Sequence, residues 1–276
     1  MSDYYQISQL RDNVFRITSQ ENVYCELLIG TEKAMLIDTG FGYGDFAGFV
    51  RKQIDKPLVI VNTHGHLDHA NGNAQFNESV YLSPADFELC KTHTSSVMRE
   101  GAAKNAAEAG YLPDGFDQSA YVARGTGNLV PLNDGDIFDL GGMTIRAIAT
   151  PGHTHGSMCF LYQEANWLYV GDQTNPHCWL FLKESTDKTT HLASLDKLIA
   201  LAPDKIIGSH MPEPVGIEEL HLYRRAAAEA EFEKGMPFEF GNIPPDETRM
   251  FVLDGMTEED SDKPGYASVV INKSWK

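Results

Sequence analysis

The sequence predicts an α/β fold in which two sheets stack with helices outside them, a four-layer αββα sandwich. The order of strands and helices predicts it, and the strand ends point to one shared site. Two β-rich blocks, within residues 14–82 and 136–170, are each followed by helical stretches. Four strand ends each deliver at least one side chain of the kind that binds metal. The length, 276 residues, fits one large domain or one domain with an appended element. At 42% hydrophobic residues the chain is an ordinary folding sequence rather than a disordered one.

The first block reads as short β-rich runs at residues 14–18, 23–29 and 34–37, split by turn residues. Asp38-Thr39-Gly40 closes the third run with a turn. Residues 44–54 read as a helix. Leu58-Val59-Ile60-Val61 is a continuous apolar run, as expected of a strand buried on both faces, and residues 80–82 make another short strand. Residues 84–110 look helical, with an alanine-rich stretch at 102–109. Residues 111–127, rich in Gly, Asp and Pro, read as a long loop. The second block has runs at 136–140, 143–149, 158–162 and 167–170. A helix over 191–201, a buried strand over 205–208 and a polar helix over 218–234 follow. The tail holds two candidate strands, 249–253 and 267–271, with an acidic turn between them. The implied organisation is a catalytic domain over 1–235, with a helical lid insert at about 84–127, and a C-terminal hairpin extension over 236–276. That hairpin would dock on the domain or on a partner chain, so a homodimer is one option.

The densest signal is Thr63-His64-Gly65-His66-Leu67-Asp68-His69. In an extended segment His64 and His66 point the same way. A turn after Leu67 lets Asp68 and His69 face a neighbouring site, and Gly65 leaves room for close approach. Imidazole and carboxylate together suit zinc, iron, manganese and similar divalent ions. The second signal, Thr150-Pro151-Gly152-His153-Thr154-His155-Gly156-Ser157, also follows a strand. Asp172 and His210 each follow one more. A lone His or Asp at a strand end is usually a turn or cap residue; four such ends together favour one shared site.

The series His-x-His-x-Asp-His, then Gly-His-Thr-x-Gly-Ser, then Gly-Asp, then a late Ser-His resembles the metallo-β-lactamase superfamily. Asp38-Thr39-Gly40 fits its early strand-turn. The resemblance covers roughly residues 14–210 and implies a cofactor of two divalent metal ions, zinc first, with iron or manganese as alternatives. His64, His66 and His153 would hold one ion; Asp68, His69 and His210 would hold the other; Asp172 would bridge them. Asp38 and His155 would stand behind the ligands. Metal binding lowers the pKa of water to roughly 7, so the implied reaction is hydrolysis by a metal-bound hydroxide, with Asp68 orienting it and moving the proton.

The stretch after Asp172 should line the pocket mouth, with Asn175 and His177 as polar contacts and Trp179 and Phe181 as an apolar wall. His177 would donate a hydrogen bond to substrate. For the two aromatics, core packing is an equal reading. Cys178 reads as an inert buried thiol. His93, Met98, Tyr111 and Phe116 of the insert are further candidate contacts. The substrate is a small ester, thioester, lactone, lactam or phosphoester, and the subfamily stays open. Acyl-homoserine lactonases of this family carry tyrosine where this chain has Asn175. Glyoxalase II enzymes carry a basic C-terminal glutathione site that this acidic tail lacks. The family's nucleases have more basic surfaces, and its lactamases are exported. The alternatives are an iron-dependent dioxygenase of the same fold and a non-catalytic metal-binding protein.

Composition excludes other classes. The net charge of −17 repels polyphosphates and argues against nucleic acid. The four cysteines form no CxxC pair and read as reduced thiols. Met1-Ser2-Asp3-Tyr4-Tyr5 has neither the basic start nor the apolar core of a signal peptide. No apolar run spans a bilayer, so the expected location is the cytoplasm.

Overall fold

Strands β1 (Gln6–Arg11), β2 (Val14–Thr18), β3 (Tyr24–Ile29), β4 (Ala34–Ile37), β5 (Leu58–Val61), β6 (Ser79–Leu82) and β7 (Asn128–Pro131) form one sheet in chain order. The first four pair antiparallel; β4 through β7 pair parallel. The computed structural model describes residues 4–276 apart from 242, 245, 262 and 264. Residues 1–3, part of the segment on which the expected lack of an export signal rests, lie outside the described residues. The chain divides into two compact units, residues 1–147 and 148–276.

In the first unit, β5 is apolar at every position because its sheet is buried around it; Ile60 and Val61 are fully buried. Two strands escaped the sequence reading, and both are edges. β1 is almost wholly exposed and polar, and β7 ends in proline, which an edge tolerates because it needs no ladder donor there. Helix α1 (Phe46–Arg51) is capped by Asp45, whose side chain accepts from Gly48 N at 2.9 Å. Helix α2 (Leu67–Ala70) is a single turn directly after the histidine segment.

The insert over 84–127 holds α3 (Phe87–His93), α4 (Ser96–Ala109) and α5 (Gln118–Val122). The expected single helical region breaks at Thr94, and Ser95 caps the new start by accepting from Met98 N. Gly110, at φ +74°, ends α4 in the left-handed conformation. The expected long loop at 111–127 contains α5, capped by Asp117. That turn has one strong apolar anchor, Tyr121, too little to give a periodic signal. Tyr121 is fully buried among Tyr43, Ala103 and Ala106. Arg99 is also fully buried and fastens the insert. It donates to Asn71 Oδ1 and Asn71 O, both at 3.1 Å, to Gly125 O at 3.0 Å and to Arg124 O. Strands β8 (Ile137–Asp139) and β9 (Thr144–Ala149) pair antiparallel, and the division between units falls inside β9.

In the second unit, β10 (Met158–Tyr162) pairs antiparallel with β11 (Trp167–Gly171). Strand β13 (Lys205–Gly208) lies parallel on the other side of β11. A separate four-stranded sheet joins β12 (Cys178–Trp179), β14 (Met236–Pro237), β15 (Thr248–Val252) and β16 (Ser268–Asn272) in the order β12-β16-β15-β14. The two tail strands therefore fall within a residue of their expected places and pair antiparallel. The pairing of β16 with β12, ninety positions earlier, had no local signal. Helices α6 (Lys188–Ile199) and α7 (Glu218–Glu229) bury Leu195, Leu198, Leu220, Tyr223, Ala226 and Ala227 in one core with β10, β11 and β16. The polar helix expected to reach residue 234 stops at Glu229; Ala230 is extended and buried, and a short 3₁₀ turn, Phe232–Lys234, follows. Among the described residues, no helix is long and apolar enough to cross a membrane.

Candidate metal centre

In the first unit the segment after β5 bends at residues 63–65, is extended at His66, which has φ −71° and ψ 158°, and then coils into α2. The bend brings the two rings together, with Nε2 of His64 3.0 Å from Nδ1 of His66. The turn at Leu67 brings Asp68 beside His69, Oδ2 to Nε2 at 3.4 Å. Gly65 is required by crowding: a Cβ there would lie 2.9 Å from Cys90 N and 3.0 Å from Asp86 O, at the start of α3. The Gly65 amide donates to the buried Asp86 carboxylate at 2.9 Å.

Asp38 organises this half. It is fully buried, holds φ +63°, and accepts from Thr63 N (2.7 Å), Thr63 Oγ1 (2.8 Å) and His69 Nδ1 (2.9 Å). The proton of the Thr63 hydroxyl is thereby committed to Asp38, so Thr63 Oγ1 accepts from His64 Nδ1 at 3.0 Å. The hydrogen-bond network thus assigns the Nδ1–H tautomer to both His64 and His69, and Nε2 of each carries a lone pair. Asn62 Nδ2 donates to His69 O at 3.0 Å and itself accepts from Asn73 at 2.8 Å, which fixes the helical turn. His93 lies with its ring stacked on His66, centroids 4.8 Å apart.

In the second unit, His153 follows β9, Asp172 follows β11 and His210 follows β13. His153 Nε2 is 3.7 Å and His210 Nε2 3.4 Å from the same oxygen, Oδ2 of Asp172. His153 Nδ1 donates to the Trp179 carbonyl at 2.8 Å, which leaves a lone pair on Nε2. Its amide donates to Gln173 Oε1 at 3.2 Å, and Gln173 Nε2 donates to Thr150 O at 2.6 Å. Gly152 is needed because a Cβ would stand 2.4 Å from His191 Nδ1 and 2.6 Å from Gln173 Oε1. His191 is fully buried beneath this turn. Burial pushes its pKa down to about 3, and among the described residues neither ring nitrogen has a hydrogen-bond partner.

The other expected site residues fall out unevenly. His155 is exposed, and its amide donates to Glu184 O at 3.0 Å. Asn175 is buried, with Oδ1 lacking a hydrogen-bond partner among the described residues. His177 is half-buried, its Nδ1 between Ser268 and Tyr266. Trp179 and Phe181 pack with Phe238 and Phe240 of the tail, with ring centroids 4.5–6.2 Å apart. Burial pushes the Cys178 thiol far up, and Cys90 and Cys159 to about 12, so these are packing residues rather than nucleophiles. In the insert, Phe116 packs on Tyr43 and Tyr121, while Tyr111 is exposed. Sequence reasoning missed Thr63, Asp86, Gln173, His191, Tyr266 and Ser268. Each acts through a partner distant in sequence; Thr63 alone also stands beside a predicted ligand, His64, which was a usable signal.

The family model for the metallo-beta-lactamase superfamily matches residues 19–210. The curated Lactamase-like protein ptaB of Pestalotiopsis fici is 26% identical over 185 residues, covering 62% of this chain and 48% of that protein. Atrochrysone carboxyl ACP thioesterase AgnL7 of Paecilomyces divaricatus is 25% identical over the same length, with the same coverage. The chain thus spans about half the length of the curated relatives it matches. Among solved structures, a metallo-beta-lactamase from Pontibacter korlensis superposes with TM-score 0.60 at 16% identity, over 82% of this chain and 100% of that one. ST1585, a metallo-beta-lactamase superfamily protein from Sulfolobus tokodaii, gives 0.53 at 20%, over 81% and 86%.

Proposed function

We propose a metal-dependent hydrolase acting on a small thioester or ester, from the premise that this chain belongs to the metallo-β-lactamase superfamily. The observation that carries the reading is the spacing of donor atoms. Around a tetrahedral ion with ligands at about 2.05 Å, neighbouring donors stand about 3.3 Å apart. His64 and His66 are 3.0 Å apart, Asp68 and His69 3.4 Å, His210 and Asp172 3.4 Å, and His153 and Asp172 3.7 Å. His64, His69 and His153 each have Nδ1 spent on an oxygen, so each offers Nε2, the arrangement that holds a metal ligand in one tautomer. The residues present therefore fit divalent ions.

Following the family pattern, His64, His66 and His153 would hold one ion, Asp68, His69 and His210 the second, and Asp172 would bridge. Bound divalent ions supply Lewis-acid polarisation of the scissile carbonyl and acidify water. The chain's own groups do the rest. Asp68 keeps 22% of its side chain exposed while His69 beside it has none, so its carboxylate can reach solvent and substrate and take or return a proton. Asp38 and Thr63 hold His64 and His69 against reorientation. No serine or cysteine nucleophile is needed, in keeping with the raised thiol pKa values. The names of several relatives, ACP thioesterases, support a thioester over a lactam or phosphoester.

The test is one assay on metal-loaded protein with thioester, aryl ester, lactone, β-lactam and phosphodiester substrates, alongside metal analysis. The expected result is about two divalent ions per chain and thioester turnover, falling by about 10²–10⁴ in Asp68→Ala. Fully metallated protein that turns over no acyl substrate would sink the reading, and oxygen uptake by an iron-loaded form would replace it with oxygenation.

A further inference from the structure

The loop that follows Asp172 is tied along its length to the last strand. Cys178 and Trp179 pair in register with Val269 and Val270, and Leu180 N donates to Val270 O at 2.8 Å. Asn272 Nδ2 donates to Phe181 O at 2.8 Å, and Ser268 Oγ to Pro176 O at 2.6 Å. His177 stands in the middle of this seam, with Nδ1 3.0 Å from Ser268 Oγ and 3.1 Å from Tyr266 Oη.

Counting protons decides what His177 can do. A serine hydroxyl has one proton, and the Pro176 carbonyl, which can only accept, takes it. Ser268 Oγ is left as an acceptor toward His177. A bare Nδ1 could take the Tyr266 hydroxyl proton at 3.1 Å, but it would still set its lone pair against that of Ser268 Oγ at 3.0 Å. A proton on Nδ1 instead satisfies Ser268 and finds Tyr266 Oη as a second acceptor. Burial lowers the ring's pKa and so favours the neutral form, against a smaller opposing pull from Glu258. A neutral imidazole has one proton, so Nε2 has none.

We propose that Ser268 and Tyr266 fix His177 as the Nδ1–H tautomer, so that Nε2 accepts a hydrogen bond from an N–H or O–H donor on the substrate. This reverses the direction expected from the sequence, where His177 was a donor. It makes the C-terminal strand β16 a specificity-determining part of the site, although it lies beyond the residues that the family model matches. The inference rests on the acyl-hydrolase reading and narrows it to substrates that carry a donor near the scissile bond, such as a thioester whose thiol arm holds an amide.

The experiment is a two-bond ¹H–¹⁵N correlation spectrum of the zinc-loaded full chain, with His177 assigned by loss of its signals in His177→Gln. The expected pattern is a protonated Nδ1 and a bare Nε2, with Ser268→Ala shifting population toward the other tautomer. A proton on Nε2 in the parent chain, or no change in Ser268→Ala, overturns the proposal. Titration with pantetheine should move the Nε2 resonance while 1-propanethiol does not; equal response to both overturns the donor-recognition part. In turnover, the preference for an N-acetylcysteamine thioester over the matched propyl thioester should fall about 2- to 10-fold in His177→Phe and return in His177→Gln, whose carbonyl accepts. An unchanged preference in His177→Phe counts against the proposal. Absence of all thioester turnover would remove the acyl-hydrolase reading, and the tautomer and titration results would still decide this one.

Discussion

The two units carry ligand-type side chains in opposite ways. The first unit concentrates four of them, His64, His66, Asp68 and His69, in one strand-to-helix turn and steadies it with a buried carboxylate, Asp38. The second gathers three, His153, Asp172 and His210, from three separate strand ends, and holds His153 with neutral groups: the Trp179 carbonyl, on a strand paired with the tail, and the Gln173 amide. A charged orienting group raises the basicity of the histidine it holds; a carbonyl fixes orientation with less effect on charge. Beneath the first turn lies an anion, and beneath the second lies His191, a buried neutral imidazole.

The largest expected consequence of that contrast is acid sensitivity residing in the second unit. Its folded-state pKa of about 3 is below the ordinary 6.5, so His191 binds fewer protons folded than unfolded over that window. Its contribution to stability is therefore full above pH 6.5 and is lost as pH falls toward 3, at roughly 1.4 kcal/mol per pH unit at most. His191→Leu should flatten the fall in unfolding free energy between pH 6.5 and 3, measured by denaturant titration at several pH values; an unchanged slope would remove His191 as its source. Next comes Asp38→Asn, which keeps shape but loses the anion. Metal affinity should drop about 10- to 100-fold, read by competition with a chelating dye, and unaltered affinity would make the two orienting schemes equivalent. Gly65→Ala should cost about 1–3 kcal/mol in chemical denaturation, because its methyl group meets the backbone of α3. The smallest effect is expected at His155, whose exposed ring should tolerate alanine within about 0.5 kcal/mol and without loss of bound metal.

The same contrast explains what could be read from the sequence. The cluster at 64–69 was legible because its ligand-type side chains stand within six positions directly after a buried strand. His153, Asp172 and His210 were legible only as a set, through the spacing pattern of the family. Their supports were not, because a carbonyl acceptor has no residue identity: any amino acid at position 179 supplies the atom that holds His153. Arg99 shows the same limit in the insert. It falls in a stretch read only as helical, yet three backbone carbonyls and the Asn71 side chain draw it fully inside. Edge strands β1 and β7 and the single turn α5 lacked the repeated apolar pattern from which elements are inferred. Trp179 and Phe181, weighed equally as pocket wall or packing, join Phe238 and Phe240 of the tail in one aromatic cluster.

The pairing of β12 with β16 also has a consequence for the order of synthesis. On the ribosome, residues 178–179 emerge some ninety residues before the strand that completes their ladder. Asp38, Thr63 and His69 can meet as soon as the first parallel strands are out, whereas the Trp179 carbonyl and His177 wait for residues 266–272. During translation at about 5–20 residues per second, the chain spends several seconds with its histidine cluster assembled and the loop after Asp172 still without that strand. A nascent chain stalled anywhere in that interval would display the histidine cluster while lacking the frame that holds His177.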